Sequence, residues 1–414
     1  MTDADDELRS TDPAVFEAIE AEDRRQAETI RLIASENYAS GPVRRATASR
    51  LTNKYSEGYP GRRYYQGQAN TDRVEELARD RACELFGADH ANVQPYSGSP
   101  ANFAVYHALL DIGDPILSMG LPFGGHLTHG WKVSATGHYW DAHHYAVDRD
   151  SERLDYDAIQ QMARDIEPEL IICGASAYPR TIDFEAFSEI ADDVDALLLA
   201  DIAHISGLVA AGVHPSPVGH ADIVTTTTHK TLRGPRGGLI LCDEQFADDI
   251  DRAVFPGLQG GPHMNAIAAA AVAFREAATD AFADYAQQVV ENARALGDGL
   301  TDRGLRLVAD GTDNHLVLVD LSPRDIGGRD AAVALEKTNI VVNSNTIPYD
   351  TRSPFDPSGI RLGTAAVTTR GMDTDDMATI ADFIGQTLDD LDDDDRLEEI
   401  ADDVHQFCST FPLP

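Results

Sequence analysis

Apolar positions change their spacing twice along the chain, and these changes divide the sequence into three predicted regions. In the first, residues 1–50, Asp12 is a suitable helix N-cap and Pro13 suits the first helical position. Three apolar residues then fall on one face of that helix: Val15, Phe16 and Ile19. We therefore predict a helical N-terminal arm with one buried face.

The second region, residues 51–280, alternates short apolar runs with amphipathic stretches. The segments "ELIICGASAYP" and "DALLLADIAHISG" each place an unbroken apolar run before a glycine or polar turn, and residues 71–86 have helical spacing. Unbroken apolar strands separated by helices are typical of a parallel sheet that is covered on both faces. We predict a large, doubly wound α/β domain whose functional site lies beyond the carboxyl ends of its strands.

The third region, residues 281–414, has a different order of predicted helices and strands. A long amphipathic helix, "FADYAQQVVENARALGDGL", precedes two strands, "LRLVA" and "HLVLVDL", after which we predict a helix, another strand and two further helices. The aspartate run at 392–395 is typical of a solvated surface loop. This region is predicted to form a smaller C-terminal α+β domain.

Charge changes the picture of possible partners. The 414 residues include 70 acidic and 33 basic side chains, for a formal net charge of -37, and only four of the basic residues are lysines. Such a surface repels phosphate backbones and anionic lipid, which disfavours nucleic-acid and membrane binding. The acidic residues are scattered along the chain, which indicates adaptation of the whole surface to high salt.

Targeting and redox features point to the cytoplasm. Cys83, Cys173, Cys242 and Cys408 lie far apart without a C-x-x-C pair, so neither a disulfide framework nor a zinc site is indicated. The N-terminus, "MTDADDELRS", lacks the basic and apolar segments of a signal peptide, and no uncharged apolar run approaches the length of a membrane span. We therefore predict a cytoplasmic protein with reduced thiols.

One lysine has an unusual setting. "ADIVTTTTHK" is predicted to be a β-branched strand that ends at His229 and Lys230. A lysine desolvated at the inner end of a buried strand has a lowered pKa and can act as a nucleophilic amine, as in Schiff-base chemistry with pyridoxal phosphate. The alternative is an ordinary lysine that extends to solvent at the strand edge. A phosphate-binding loop is excluded, because His229 stands where that motif needs glycine.

A pyridoxal-phosphate site requires further groups, and the sequence offers candidates for them. Asp201 ends the apolar run "ALLLAD" and could face the pyridine nitrogen, although a turn-forming or helix-capping aspartate is the alternative. His204 could support the ring or be structural. The segment Ser97–Gly98–Ser99 lies between a predicted strand and a helix, where free backbone N–H groups favour a phosphate.

A ring that stacks on the cofactor is the next requirement. His126, in "FGGHLTHG", follows glycines that permit close approach. A metal site is the alternative, because His129, His138, His143 and His144 follow, but we expect no carboxylate or cysteine to complete a ligand set.

The substrate side requires a carboxylate clamp and a proton carrier. Arg361 lies between glycines in "SGIRLGT", which suits bidentate carboxylate recognition, although a surface arginine is the alternative. Glu57 occurs with Tyr55, Tyr64 and Tyr65 in the loop "YSEGYPGRRYY", and such a concentration of polar and aromatic groups in a loop indicates a site.

Taken together, these segments resemble the serine hydroxymethyltransferase family. The resemblance extends from "LIASENY" to "SGIRLGT" and includes "LTNKYSEGYPGRRYY", "GGHLTHG", "VTTTTHKTLRGPRGG", "FPGLQGGP" and "GTDNHL". It implies the aspartate-aminotransferase-like fold (fold type I) of pyridoxal-phosphate enzymes, with a large doubly wound, mixed or parallel sheet domain and a smaller α+β domain. It also implies conversion of serine to glycine with tetrahydrofolate, or a related pterin, as one-carbon carrier, through a carbanion delocalised into the cofactor ring.

The resemblance further implies a role for each candidate residue. Lys230 would attach the cofactor, Asp201 would face the pyridine nitrogen and His126 would stack on the ring. The other implied cofactor contacts are Ser97, Gly98, Ser99, Ser176, His204, Thr228, His229 and Tyr55, with Gly260 and Gly261 from the neighbouring subunit. Arg361 and Ser35 would bind the amino-acid carboxylate, and Glu57 would handle the hydroxymethyl proton with Tyr65 nearby. The implied folate contacts are Glu57, Tyr64, Leu121, Gly125, Leu127 and Asn345.

The resemblance leaves two alternatives to test. A folate-independent threonine-type aldolase of the same fold would share the cofactor residues, and only the loop from Glu57 to Tyr65 and Asn345 favour the folate enzyme. A non-catalytic or RNA-binding relative is the other alternative, which the presence of Lys230 and Asp201 and the net charge of -37 disfavour. The family's compact prokaryotic type implies a homodimer with shared active sites.

Overall fold

The computed structural model describes residues 3–414. Its helices are α1 (Asp3–Thr11), α2 (Pro13–Glu28), α3 (Gly41–Thr47), α4 (Ala69–Phe86), α5 (Gly98–Leu109), α6 (Thr136–Tyr139), α7 (Tyr156–Ile166), α8 (Phe184–Asp193), α9 (Ser206–Ala210), α10 (Ala247–Arg252), α11 (Met264–Ala277), α12 (Asp280–Asp302), α13 (Gly328–Lys337), α14 (Ala365–Thr369), α15 (Thr374–Asp389) and α16 (Asp394–Cys408). Its strands are β1 (Ile30–Arg31), β2 (Gly58–Tyr59), β3 (Arg62–Arg63), β4 (His90–Asn92), β5 (Pro115–Met119), β6 (Asp141–Tyr145), β7 (Leu170–Cys173), β8 (Leu197–Asp201), β9 (Ile223–Thr227), β10 (Gly238–Cys242), β11 (Arg306–Leu307), β12 (Leu316–Asp320), β13 (Ile340–Val341), β14 (Asn343–Asn345) and β15 (Gly359–Gly363).

A seven-stranded sheet forms the centre of the molecule. Its strand order is β4-β10-β9-β8-β7-β5-β6, and neighbouring strands from β6 to β9 are parallel. β10 is antiparallel to both of its neighbours. Apolar side chains cover both faces of the sheet, and the predicted doubly wound mixed sheet is therefore confirmed. The parallel strands end at one edge, where the loops that follow them converge.

A second sheet of four strands, in the order β11-β12-β15-β14, lies in the C-terminal part of the chain. Its core includes Val317, Val319 and Ile360, which pack with residues of α12 and α15. The sequence predicted one strand and two helices after α13, whereas the structure has β13, β14 and β15 followed by three helices. The two short strands were missed because two- and three-residue strands have too few positions to establish a period of two.

The N-terminal arm contains the predicted helix. The Asp12 carboxylate accepts the backbone N–H of Val15 at 3.1 Å, so the cap is confirmed. The predicted apolar face is only partly correct within this chain: Phe16 is buried, whereas Val15 and Ile19 are 47% and 45% exposed. The arm then crosses to the C-terminal part of the chain, where β1 pairs in parallel with β13.

Across residues 3–414, we find no helix that combines the length and the apolar character needed to traverse a bilayer.

Candidate active site

A cavity of about 350 Å³ lies at the carboxyl ends of the parallel strands. It is lined by Ser35, Ser97, Gly98, Ser99, Asn102, His126, His129, Ala175, Ser176, Asp201, Ala203, His204, Thr227, His229, Lys230, Arg236 and Arg361. Eleven of these residues were site candidates from the sequence. The fold thus brings together groups that lie more than 300 positions apart in the chain.

Lys230 lies deep in this cavity. The predicted strand was expected to reach Lys230, but β9 ends at Thr227. The chain then turns, since the N–H of Arg233 donates to the carbonyl of Lys230 at 3.1 Å. Burial lowers the pKa of Lys230 to about 8, with Arg361 and Arg236 adding to this effect and the charge of Asp201 opposing it. The amine is therefore far easier to deprotonate than that of a surface lysine.

Asp201 ends β8 on the floor of the cavity. Burial by itself would raise its pKa, but hydrogen bonds from His129 and Asn102 hold the pKa well below the usual range of a carboxyl. Oδ2 accepts from His129 Nε2 at 2.9 Å and from Asn102 Nδ2 at 2.8 Å, and Oδ1 accepts the backbone N–H of Ala203 at 3.0 Å. The carboxylate is thus ionised and fixed in one orientation.

Part of the cavity lining is suited to an anion. Ser97–Ser99 lie at the N-terminus of α5, a twelve-residue helix whose free N–H groups and dipole favour negative charge. His229 contributes a buried Nδ1 atom that has no hydrogen-bond partner among the described residues. Arg236 also lines this region, and burial together with the charge of Arg236 lowers the pKa of His229 to about 3.

Two further histidines line the cavity in neutral form. Burial, reinforced by His129, lowers the pKa of His126 to about 4. Burial and the charge of Lys230 also lower the pKa of His204 well below its usual value, and the His204 ring lies against that of His315, with 3.3 Å between Nδ1 and Nε2. Neutral rings can stack and accept or donate single hydrogen bonds without adding charge.

The histidines considered as an alternative metal set do not all converge. His126, His129 and Asp201 place potential ligand atoms within 4.8 Å of one another. His143 instead pairs with Asp141, and His144 contacts the hydroxyl of Ser118. The expectation that no carboxylate joins these histidines was wrong, because the fold brings Asp201 to them from a distant segment, where it accepts a hydrogen bond from His129.

Arg361 enters the cavity from β15 of the second sheet. Its Nη1 donates to the carbonyl of Ser176 at 2.5 Å and its Nε donates to Asn343 at 3.1 Å. Nη2 has no protein hydrogen bond within residues 3–414. Burial lowers the pKa of Arg361 to about 10, so the guanidinium remains charged at neutral pH. With Ser35 on the same wall, it offers a positioned donor for a small carboxylate.

Thr228 was a candidate for cofactor contact, and the structure places it elsewhere. Its hydroxyl donates to the carbonyl of Pro235 at 2.6 Å, and Thr227 lines the cavity in its place. Side chains alternate between the two faces of an extended segment, so neighbouring threonines cannot both point into one cavity. Thr228 therefore stabilises the loop that carries Arg236.

A second group of candidates lies outside this cavity in the same chain. The Tyr65 hydroxyl donates to Glu57 Oε2 at 2.5 Å, and the Tyr55 ring is 65% exposed. Gly260 and Gly261 lie against this loop: a Cβ on Gly261 would come within 3.1 Å of the Tyr55 ring, and one on Gly260 would lie 3.5 Å from Glu57. These residues therefore lie together in the fold, and within the single chain they are separated from Lys230.

Five residues predicted to contact folate likewise do not line the cavity. Tyr64 lies with Arg62 and Phe255 in a separate cavity of about 290 Å³. The loop after β5, which leads to His126, contains Leu121, Gly125 and Leu127, and Asn345 ends β14. Gly125 is required by close packing, because a Cβ there would lie 2.1 Å from the Met119 carbonyl.

Four polar residues of the cavity were not assigned from the sequence: Asn102, His129, Thr227 and Arg236. His129 was considered only as a metal ligand, and Arg236 was visible only as part of a glycine-rich loop. Asn102 lies one turn into α5, and its spacing from Ser97–Ser99 was the signal that could have identified it.

Comparison with known proteins agrees with this geometry. The family model described as "Serine hydroxymethyltransferase" matches residues 8–384. Proteins named serine hydroxymethyltransferase are similar to this chain along nearly their whole length. That of Sorangium cellulosum is 57% identical over 407 residues, which cover 98% of this chain and 96% of the relative. Those of Acidothermus cellulolyticus and Halorubrum lacusprofundi are 55% and 56% identical, each over 98% of this chain and 97% and 98% of the relative. This chain belongs to the serine hydroxymethyltransferase family.

Proposed function

We propose that this protein interconverts serine and glycine by transferring the hydroxymethyl carbon of serine to tetrahydrofolate or a related pterin. The observation that supports this most directly is the convergence of Lys230, Asp201 and Arg361 in one cavity of a chain that belongs to this family. The family uses pyridoxal phosphate as cofactor and tetrahydrofolate as cosubstrate. Membership therefore favours the transferase over the folate-independent aldolase of the same fold.

The residues of the cavity fit pyridoxal phosphate. Ser97–Ser99, His229 and Arg236 would hold the phosphate, because the free N–H groups at the N-terminus of α5 and the Arg236 guanidinium line the same cavity. The ionised Asp201 would hold a proton on the pyridine nitrogen, and His126 would lie against the ring. When bound, the cofactor supplies an electron sink for the negative charge that develops at the substrate Cα.

The remaining residues act on the amino acid. The Lys230 amine would hold the cofactor, and its lowered pKa keeps a useful fraction of the amine deprotonated at neutral pH. Arg361 and Ser35 bind the carboxylate and fix the orientation of the bond that breaks. Glu57, in hydrogen-bond contact with Tyr65, moves the proton of the hydroxymethyl group.

A direct assay tests the reaction. The purified protein, supplied with pyridoxal phosphate, is expected to convert serine to glycine only when tetrahydrofolate or a related pterin is present, and each pterin should be assayed separately at high salt. Threonine provides the contrast, because an aldolase would cleave it at a comparable rate without folate. Folate-independent cleavage of threonine, with no folate-dependent use of serine, would instead establish the aldolase function.

We further propose that the active enzyme is a homodimer in which the loop of Glu57 completes the partner's cavity. A cleft of about 570 Å³ adjoins the lysine cavity and shares Ser35, His229 and Arg236 with it. Arg44 also lines this cleft, so the Glu57 carboxylate on the aromatic loop Tyr55–Tyr65 would suit it. Within its own chain this loop leaves large tyrosine rings exposed to water.

Mixing two inactive variants should restore activity if the sites are shared. Lys230→Ala and Glu57→Gln chains, refolded or exchanged together in equal amounts, should regain about a quarter of wild-type activity, because half of the dimers are mixed and each has one intact site. The matched control mixes Lys230→Ala with Asp201→Asn, whose lesions fall in the same cavity and cannot complement. Equal activity in the two mixtures would contradict shared sites.

Salt should stabilise the protein. A net charge of -37 makes self-repulsion strong in dilute buffer, where the Debye length is about 30 Å, and weak in molar salt, where it is about 3 Å. We therefore propose a salt-adapted cytoplasmic enzyme, which agrees with its four free cysteines. The melting temperature is expected to rise steadily from low to molar KCl; a flat or falling profile would contradict the proposal.

A further inference from the structure

A hydrogen-bond chain of buried side chains connects Asp201 to His126. Asn102 Nδ2 donates to Asp201 Oδ2 at 2.8 Å and to Thr128 Oγ1 at 2.9 Å. Thr128 Oγ1 in turn lies 2.7 Å from His126 Nδ1. Thr225 completes the set, because its hydroxyl donates to Asn102 Oδ1 at 2.6 Å. Asn102 and Thr225 are each 1% exposed, so water does not compete for these bonds.

The negative charge of Asp201 fixes which group donates and which accepts in each of these hydrogen bonds. An ionised carboxylate can only accept, so Asn102 must turn its amide NH₂ toward Asp201 and its Oδ1 toward Thr225. The second amide hydrogen then donates to Thr128 Oγ1. The Thr128 hydroxyl hydrogen is left to donate to His126 Nδ1, which also lies 3.2 Å from the Thr128 backbone N–H.

The hydrogen bonds of His129 likewise fix the position of its ring proton. Its Nδ1 accepts the backbone N–H of His126 at 3.2 Å, so its proton lies on Nε2, which donates to Asp201. Asp201 thus determines the proton positions on both rings, through a direct bond to His129 and through two intervening side chains to His126.

We propose that Asn102 and Thr128 are positioning residues that hold His126 as a neutral ring with its proton on Nε2. The Nδ1 atom accepts both donors of Thr128 and cannot serve as a base. His126 therefore offers the cavity a single N–H donor. Resting on the proposed function, this assigns the proton-transfer steps of the reaction to other groups, such as Glu57 and Lys230.

The protonation state of His126 can be measured without turnover. In the full-length protein labelled with ¹⁵N-histidine, before and after addition of pyridoxal phosphate, long-range ¹H–¹⁵N spectra should show His126 neutral with an unprotonated Nδ1 from pH 6 to pH 9. A cationic ring, or one with its proton on Nδ1, would overturn the inference. That result would leave the proposed reaction untouched, because the catalytic assay does not depend on this tautomer.

Matched variants test the hydrogen bonds that connect Asp201 to His126. Thr128→Val removes the hydroxyl with little change of shape and should introduce a protonated-Nδ1 population and weaken pyridoxal-phosphate binding about tenfold. Thr128→Ser keeps the hydroxyl and should preserve the wild-type spectrum. Asn102→Leu should alter the His126 signals although Asn102 does not contact that ring. A wild-type His126 spectrum in both Thr128→Val and Asn102→Leu would show that these hydrogen bonds do not set the proton position on His126.

Discussion

Replacing Lys230 with alanine should abolish the visible absorbance of the bound cofactor and reduce turnover of serine by about 10³-fold or more. The physical reason is that this amine lies at the inner end of the cavity, where burial lowers its pKa to about 8 and makes it an effective nucleophile at neutral pH. The measurement is the absorbance spectrum after incubation with pyridoxal phosphate and removal of the free cofactor, together with the rate of glycine formation.

A second lysine provides the matched control. Lys337 lies on α13 and forms an exposed ion pair with Asp394 at 2.8 Å. Lys337→Ala should change neither absorbance nor turnover, because exposed ion pairs contribute ~1 kcal/mol or less to stability. Borohydride reduction followed by peptide mapping should locate the cofactor on Lys230. Attachment elsewhere, or an unchanged spectrum in Lys230→Ala, would show that another lysine binds the cofactor.

Replacing Asp201 with asparagine should reduce turnover by about 10²- to 10³-fold while the cofactor still binds. The substitution removes a buried negative charge that Asn102 and His129 hold in place. Without this charge the pyridine nitrogen loses the partner that keeps it protonated, and the ring becomes a poorer electron sink. Lys230 also loses the carboxylate that opposes the lowering of its pKa, so that pKa should fall below about 8. A pH titration of cofactor attachment measures this second effect.

Asp251 offers a control with the same kinds of partner. Its Oδ1 accepts from His90 Nε2 at 2.9 Å and from Asn92 Nδ2 at 2.8 Å, which closely matches the surroundings of Asp201. Asp251→Asn should lower the melting temperature but leave the absorbance of the bound cofactor and the pH profile of its attachment unchanged. If both variants changed this profile alike, the effect of Asp201→Asn would come from altered packing rather than from the location of the Asp201 charge in the cavity.

Local patterns were sufficient for the larger elements of the fold. The helix after Asp12 and the helix ending at Phe86 were predicted because capping residues and a sustained spacing of 3.6 residues act within a few turns. Strands β7, β8 and β9 of the large sheet were predicted because burial on both faces produces unbroken apolar or β-branched runs. The exposed Val15 and Ile19 show where this reasoning fails, since a spacing identifies a face but not the surface that covers it.

The sequence by itself determined the family and the fold class, and it singled out Lys230 as the candidate for cofactor attachment. These features depend on which residues are present and on short-range order, as in "VTTTTHKTLRGPRGG", where a β-branched run precedes Lys230. Even Arg361, distant in the chain, was found by its local setting between glycines. Such properties depend on residues that are neighbours in the sequence.

Only the tertiary structure decided which groups share a cavity and how they hold their protons. Asn102, Thr128 and Thr225 come from three separate segments, and their common role exists only because the sheet brings those segments to the side of Asp201. The structure likewise separated the loop of Glu57 from Lys230, although the sequence assigned both to one site. The direction of a hydrogen bond depends on donors and acceptors within about 3 Å of one another. The spacing of residues along the sequence does not reveal which groups come that close.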